Sequence, residues 1–283
     1  MNPLTVTWSP HVYTQIGWQN FQGLIKSGLS NILGTPDGKV HRRLTRDSLM
    51  EIGDPFQPFI YGQVSFPVQM ALKFDVKLIM DGENGELEYG GKNETSKKSF
   101  SPEDENKYWF SNFEAKSWLK KGYNLKEMSI YLPPSIDEIL SKKINRQFWS
   151  YYNFWDPQEH FYYVSKNTGF KPNPEGRSEG TFSKYASLDD AIDGFHFYFM
   201  LLKFGIGRAT YDAGHEIREK HLTRSEAIKL VRKYDTEFPK KNYKLFLDYC
   251  GINEYEFNKI CDSWRSDHLW TKKNGKWKLK NQI

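Results

Sequence analysis

From Leu4 to Met80, short apolar runs alternate with stretches of helical periodicity, and this alternation constrains the fold more than any other feature of the sequence. Leu4 to Trp8 reads as a buried strand. Thr14 then opens a helix in which Trp18, Phe21 and Ile25 recur at helical spacing until Gly28 ends it. Asn31 to Leu33 is a second short strand, running into the Pro36-Asp37-Gly38 turn, and Val40 to Glu51 is a polar helix. A third helix is expected from about Pro67 to Phe74, with Pro67 in its first turn, and Val76 to Met80 is a strand stopped by Asp81-Gly82. Strands and helices at these separations imply βαβ units, a parallel sheet and the α/β class.

Beyond Met80 the pattern changes. Residues 92–106 are polar and rich in Ser, Glu and Lys, as in a mobile insertion. Phe148 to Phe154 suits a last strand, and Asp156-Pro157 caps a helix that carries Phe161 and Val164 and ends at Gly169. The remainder reads as helical. Ser187 with Asp190, Thr223 with Glu226 and Asn253 with Glu256 each set a small polar cap three residues before a carboxylate, and Gly205 and Gly251 are stops. The expected organisation is an α/β domain over 1–174 and a helical region over 175–283.

Composition excludes several classes. No run approaches the roughly 18 apolar residues that span a bilayer, and MNPLTVTWSP lacks the layout of a signal peptide, so a cytoplasmic protein with no membrane contact is expected. Cys250 and Cys261 are too few for a disulfide framework or an unaided zinc site, and no metal centre is expected. The net charge of +5 is concentrated in the tail, at Lys272, Lys273, Lys276, Lys278 and Lys280, which reads as a solvated terminus; no nucleic-acid partner is expected.

Three segments could carry chemistry. The first is Asp81-Gly82-Glu83-Asn84-Gly85-Glu86-Leu87-Glu88, which follows a strand end, where open α/β sheets bind ligands. Its carboxylates Glu83, Glu86 and Glu88 need a metal, a cation or solvent. Mg2+ with nucleotide phosphates would satisfy them, and an exposed acidic turn is the alternative. Gly90-Gly91-Lys92 is no Walker loop, because Glu86 stands where that loop has glycine. The second segment gathers Arg177, Lys184, Thr181 and Ser183 ahead of Asp189, Asp190 and Asp193, a donor-rich loop suited to a phosphorylated, polyhydroxylated ligand or else a solvated loop beside a helix start. The third has Gly205 and Gly207 before a helix beginning at Arg208 and carrying Asp212, either an anion-binding helix end or an ordinary corner.

Taken in order, GDPFQPFIYGQ (53–63), MDGENGELEYGG (80–91), EGTFSKYASLDDAIDGFHFYF (179–199) and KFGIGRATYDAGHEIREKHLTRSEAIKLV (203–231) resemble the N-acetyl sugar amidotransferase family of surface polysaccharide and nonulosonic acid biosynthesis, including lipopolysaccharide O-antigen and pseudaminic or legionaminic acid. The resemblance implies a PP-loop, adenine nucleotide alpha hydrolase-like domain, amino-terminally truncated relative to the family, because the family's cysteine-rich segment and S-G-G-x-D-S loop do not occur in this sequence. It implies ATP and Mg2+ as cofactors, adenylation of a sugar acetamido oxygen, attack by ammonia from a partner glutaminase, and release of AMP. Glu83 and Asn84 take the catalytic positions. Thr7, Trp8, Gly82 and Glu83 take the nucleotide, and Arg177, Lys184, Asp190, Arg208 and Asp212 take the nucleotide-activated N-acetyl sugar. The alternatives are a noncatalytic sugar- or partner-binding chain and a PP-loop tRNA-modifying enzyme.

Overall fold

A computed structural model describes residues 3–89, 110 and 113–283. Strand β1 (Leu4–Trp8) leads to helix α1 (Gln15–Lys26), whose Thr14 cap accepts from Gly17 N at 2.9 Å. Strand β2 (Ser30–Gly34) pairs in parallel with β1, from Leu4 opposite Ser30 to Trp8 opposite Gly34. Helix α2 (Gly38–Glu51) starts at Asp37, whose carboxylate accepts from Lys39 N and Val40 N.

Helix α3 is longer than its sequence suggests. It runs from Gln57 to Phe74, with Pro58 in the first turn and Pro67 inside. The expected start at Pro67 is therefore wrong by nearly three turns: the prolyl ring removes only its own N–H, and the apolar face on either side of it (Tyr61, Val64, Phe66, Val68, Ala71) is buried and holds the helix together. Asp75 ends it in the left-handed conformation at φ 55°. Strand β3 (Leu78–Asp81) pairs in parallel with β4 (Asn145–Phe148), and the short helix α4 (Gly85–Tyr89) follows β3.

Two further departures concern the sheet. The last parallel strand ends at Phe148 rather than starting there; Trp149–Tyr151 is a 3-10 turn, because its aromatics sit at a chain reversal and not along a sheet. The described strands also form no single sheet. They make two separate parallel pairs, β1–β2 and β3–β4, both touching α3. A 3-10 turn over Ala115–Lys121 and helices α5 (Leu125–Met128) and α6 (Ile136–Ser141) lie between, the helices opened by capping boxes at Asn124 with Glu127 and Ser135 with Glu138. The insertion expected at 92–106 lies outside the described residues.

Helix α7 (Pro157–Asn167) is capped by Asp156 as expected. Helices α8 (Asp193–Phe204), α9 (Arg208–Arg218), α10 (Arg224–Tyr234), α11 (Tyr243–Cys250) and α12 (Glu254–Trp264) complete the helical region, with boxes at Thr223 with Glu226 and Asn253 with Glu256 and left-handed stops at Gly205 and Gly251. Ser187 caps nothing; it has φ 54°, and α8 starts six residues later, because Asp190 is held by the chain after β1 rather than by a helix start. The basic tail is a hairpin, β5 (Trp270–Lys273) and β6 (Lys276–Leu279). Its lysines are solvated as expected, while Trp270, Trp277 and Leu279 join the core of α8, α11 and α12. That core also takes Leu49 and Phe56, so it crosses the 174/175 boundary; a second core forms around Trp8, Tyr61, Trp118 and Tyr131. Cys250 and Cys261 are buried free thiols, each pushed up to about 12 by burial.

Candidate functional site

Helix α3 and the end of β3 set up the first part of the site. Arg146 on β4 donates to both Asp81 carboxylate oxygens, Nε at 2.5 Å and Nη2 at 3.1 Å, and Nη1 reaches Val64 O on α3 at 3.0 Å. The β3 terminus is thereby fixed. Beyond it Gly82 and Glu83 are exposed, and Glu83 accepts from Gln63 Nε2 of α3 at 2.9 Å. Asn84 is buried; its amide donates to Ser150 Oγ at 3.0 Å and its carbonyl accepts from Leu87 N and Glu88 N, so it starts α4.

Glu88 on α4 meets Arg208 at the start of α9, Nη1 to Oε1 at 3.4 Å, and Arg208 Nε donates to Asp212 at 2.9 Å. The guanidinium also lies over Phe197 of α8, 4.5 Å from the ring centre. Asp212 is buried and accepts the Thr181 hydroxyl, and Arg208 holds its carboxyl low against the upward push of burial.

The loop before α8 brings in more carboxylates. Asp189 O accepts from Thr14 N at 3.0 Å, and a Cβ at Gly17 would stand 2.4 Å from Asp189 Cα, so only glycine allows α1 to approach there. Glu83 and Asp189 keep solvent access but are crowded by protein. Poor hydration first, then Glu88 and Asp189, push Glu83 up to about 7; poor hydration, then Asp193 and Asp190, push Asp189 up to about 7. Burial raises Asp193 as well, against Arg208 and His196. His196 is in turn paired with Asp54, Nδ1 to Oδ1 at 2.9 Å. Burial would lower that imidazole, but Asp54 prevails and raises it.

One face therefore unites the three segments singled out in the sequence: Glu83 and Glu88, Asp189 and Asp193, Arg208 and Asp212. Other expected residues lie elsewhere. Asp190 accepts from His11 N at 2.6 Å and His11 Nδ1 at 2.8 Å, tying the chain after β1 to α8. Thr7 accepts the Asn31 amide at 2.8 Å, and Trp8 is buried against Gly62, Phe66 and Tyr131. Lys184 is exposed over Phe161 and Tyr162. Arg177 makes a forked pair with Glu237 at 2.7 and 2.9 Å and borders a cleft of about 500 Å³ with Ser178, Glu179 and Lys241. Sequence reasoning missed Gln63, Arg146, Asp54 and His196. Asp54 and Gln63 lie inside the GDPFQPFIYGQ segment, but no spacing there reveals a partner.

The molecule is thus a mixed α/β protein with short parallel sheets, many helices and a carboxylate-lined face at a strand end. Residues 179–283, which supply Asp189, Asp193, Arg208 and Asp212, match the family described as LPS biosynthesis protein WbpG-like, C-terminal domain, and this match supports a lipopolysaccharide-biosynthesis family. No curated protein matches the chain. Among the described residues, no helix is long and apolar enough to cross a membrane.

Proposed function

We propose that the chain works in lipopolysaccharide biosynthesis as an ATP-dependent N-acetyl sugar amidotransferase on a PP-loop-like scaffold in the cytoplasm. The observation that carries the reading is the convergence of Glu83 and Glu88 with Asp189 and Asp193 beside Arg208, of which Asp189, Asp193 and Arg208 belong to the region that matches the lipopolysaccharide family. Four carboxylates with one arginine, two of them pushed up to about 7, form a hard-oxygen set short of positive charge. Among the described residues no three of these carboxylates stand close enough to hold an ion by themselves, so Mg2+ would be held by one or two of them together with nucleotide phosphates. Gln63 orients Glu83, the Asp81–Arg146 pair fixes the strand end beneath it, and Asn84 holds the turn. Arg208, held by Asp212 and Glu88, keeps positive charge at the edge of the face for the sugar nucleotide, with the cleft beside Arg177 open to its remainder. In the reaction the acetamido oxygen takes the adenylyl group of ATP and releases pyrophosphate. Ammonia from a glutaminase partner then attacks the acetamido carbon, and the bond from that carbon to the adenylylated oxygen breaks, leaving an acetamidino group and releasing AMP, which carries off the oxygen.

The alternative is that the chain binds the sugar nucleotide without turning it over, which the Arg208 face and the cleft beside Arg177 would suffice to do. The test is calorimetric titration with ATP, with and without Mg2+, followed by an AMP assay with a UDP-linked N-acetylamino sugar and ammonium. Mg2+-dependent ATP binding that is lost in Glu83→Gln and Asp189→Asn, with AMP formed only when the sugar is present, is the expected result. Binding indifferent to Mg2+ and to both substitutions overturns the assignment of the acidic face. Sugar-nucleotide binding without AMP selects the noncatalytic alternative.

A further inference from the structure

A second cluster lies on the opposite end of α9. Asp156, Glu219 and His221 each offer one ligand atom, and these atoms lie within 4.8 Å of one another; His215 and Glu216 form an adjoining group that shares Glu219. The backbone builds it. Helix α9 closes with His221 N bonded to Glu216 O at 2.9 Å and Lys220 N to Ile217 O at 3.1 Å, with Lys220 at φ 67° in the left-handed position usually held by glycine. This closure turns His221 back over the start of α7. There Asp156 uses Oδ1 to cap the helix through Glu159 N at 2.9 Å, leaving Oδ2 for His221 Nε2 at 2.8 Å.

The charge balance points to a missing cation. Asp156, Glu216 and Glu219 are all withdrawn from solvent, the side chain of Glu219 to 2% exposure, yet among the described residues no lysine or arginine pairs with any of them. Their only basic partners are two imidazoles. The one side-chain hydrogen bond that reaches Glu219 among the described residues is a long one from His215 Nδ1, at 3.3 Å. Asp156 is bonded through both oxygens and Glu216 accepts from the Tyr185 hydroxyl at 3.1 Å and the Gln158 amide at 3.4 Å, so among the described residues Glu219 is the buried carboxylate short of donors, and a cation shared with its neighbours would relieve it. His221 remains 31% exposed in its side chain, which leaves a way in from solvent.

We propose that Asp156 Oδ2, Glu219 and His221 Nε2 bind one divalent transition-metal ion of the zinc or manganese class, which clamps the end of α9 onto the start of α7. Donors within 4.8 Å of one another need only a small inward movement to stand about 2.0 to 2.2 Å from a common centre, with a fourth position left to water. The imidazole selects against magnesium and calcium. His215 is a positioning residue: it touches Glu219 through Nδ1 and faces Asp212 through Nε2 at 3.6 Å, the usual arrangement of an outer hydrogen bond on a metal-binding carboxylate.

The proposal is independent of the amidotransferase reading, and its test needs no activity. The full chain is stripped with chelator and titrated with zinc chloride by calorimetry and thermal melting, then with cobalt chloride by visible absorption. One ion bound per chain, a higher melting temperature and a cobalt spectrum of nitrogen and oxygen ligands are expected. His221→Ala and Asp156→Asn should each weaken zinc binding by roughly 10-fold or more. Asparagine still caps α7, so the second variant separates loss of ligand from loss of fold. His160→Ala, on the side of α7, should bind as the parent does. No zinc binding by the stripped parent chain, unchanged affinity in both ligand variants, or an equal melting shift with magnesium chloride would each overturn the site.

Discussion

Arg208 Nε donates to Asp212 Oδ1 at 2.9 Å across one turn of α9, and the guanidinium reaches back to Glu88 on α4. Both side chains are largely buried, at 13% and 3% exposure, so neither charge can be stranded cheaply. Arg208→Ala leaves Asp212 with only the Thr181 hydroxyl and His215, and it frees Glu88 from α9. We expect a loss of about 3 kcal/mol in urea unfolding, with a similar loss for Asp212→Ala. The double variant should lose clearly less than the sum of the two. Strict additivity would mean that the two charges do not depend on each other.

Glu83 and Asp189 give the molecule a pH signature. Each carboxyl titrates higher in the folded chain than in the unfolded one, rising from 4.5 and 3.8 respectively to about 7. Between those limits the folded state holds more protons, so stability falls as pH rises from about 4 to about 7 and the penalty is complete above that. Glu83→Gln and Asp189→Asn should therefore raise the melting temperature at pH 8 and change it little at pH 4. Melting curves displaced equally at both pH values would remove the electrostatic origin.

Helix α3 makes its tightest approach to β1 at Gly62. A Cβ at Gly62 would stand 2.0 Å from the Trp8 indole, and the ring cannot retreat because Phe66 and Tyr131 lie 5.7 Å away on its other sides. Gly62→Ala should cost about 2 to 3 kcal/mol through overpacking, outweighing its gain in helix propensity. Chemical denaturation followed by tryptophan fluorescence reads this directly, and a neutral or stabilising effect would show that the two elements slide freely.

What was legible in the sequence was local. Thr14, Asp156, Thr223 and Asn253 cap helices as their spacing announces, and Leu4 to Trp8 forms a parallel strand, although only Trp8 of it is buried. The failures arose where tertiary contacts overrule local cues. Pro67 sits inside a helix because the flanking face is buried, and Ser187 caps nothing because Asp190 bonds His11, which is 179 residues away. At the site, the acidic turn after β3 was visible as a strand-end segment, but its partners Gln63 and Arg146 were not. A glutamine one turn from a proline and an arginine in a polar strand carry no periodic signal.

The hairpin at the end of the chain gives the last test. Asn274 and Gly275 have φ 51° and 76°, the paired positive angles of a tight two-residue turn, for which an Asn-Gly pair is the strongest short-range cue. The turn sets the register in which Trp270 faces Leu279, and this in turn lets Trp270 donate its indole N–H to Leu202 O at 2.8 Å inside the helical core. Arg265 lies over both Trp270 and Trp277 and closes the arrangement from outside. Gly275→Val should therefore act at a distance. The β-branched side chain resists positive φ, so the strands lose register and Trp270 loses its carbonyl partner. We expect a loss of about 1 to 3 kcal/mol with a red shift in tryptophan emission, whereas Lys276→Ala, beside the turn and exposed, should change neither. If both variants unfolded like the parent chain, the hairpin would be an appendage and not part of the core.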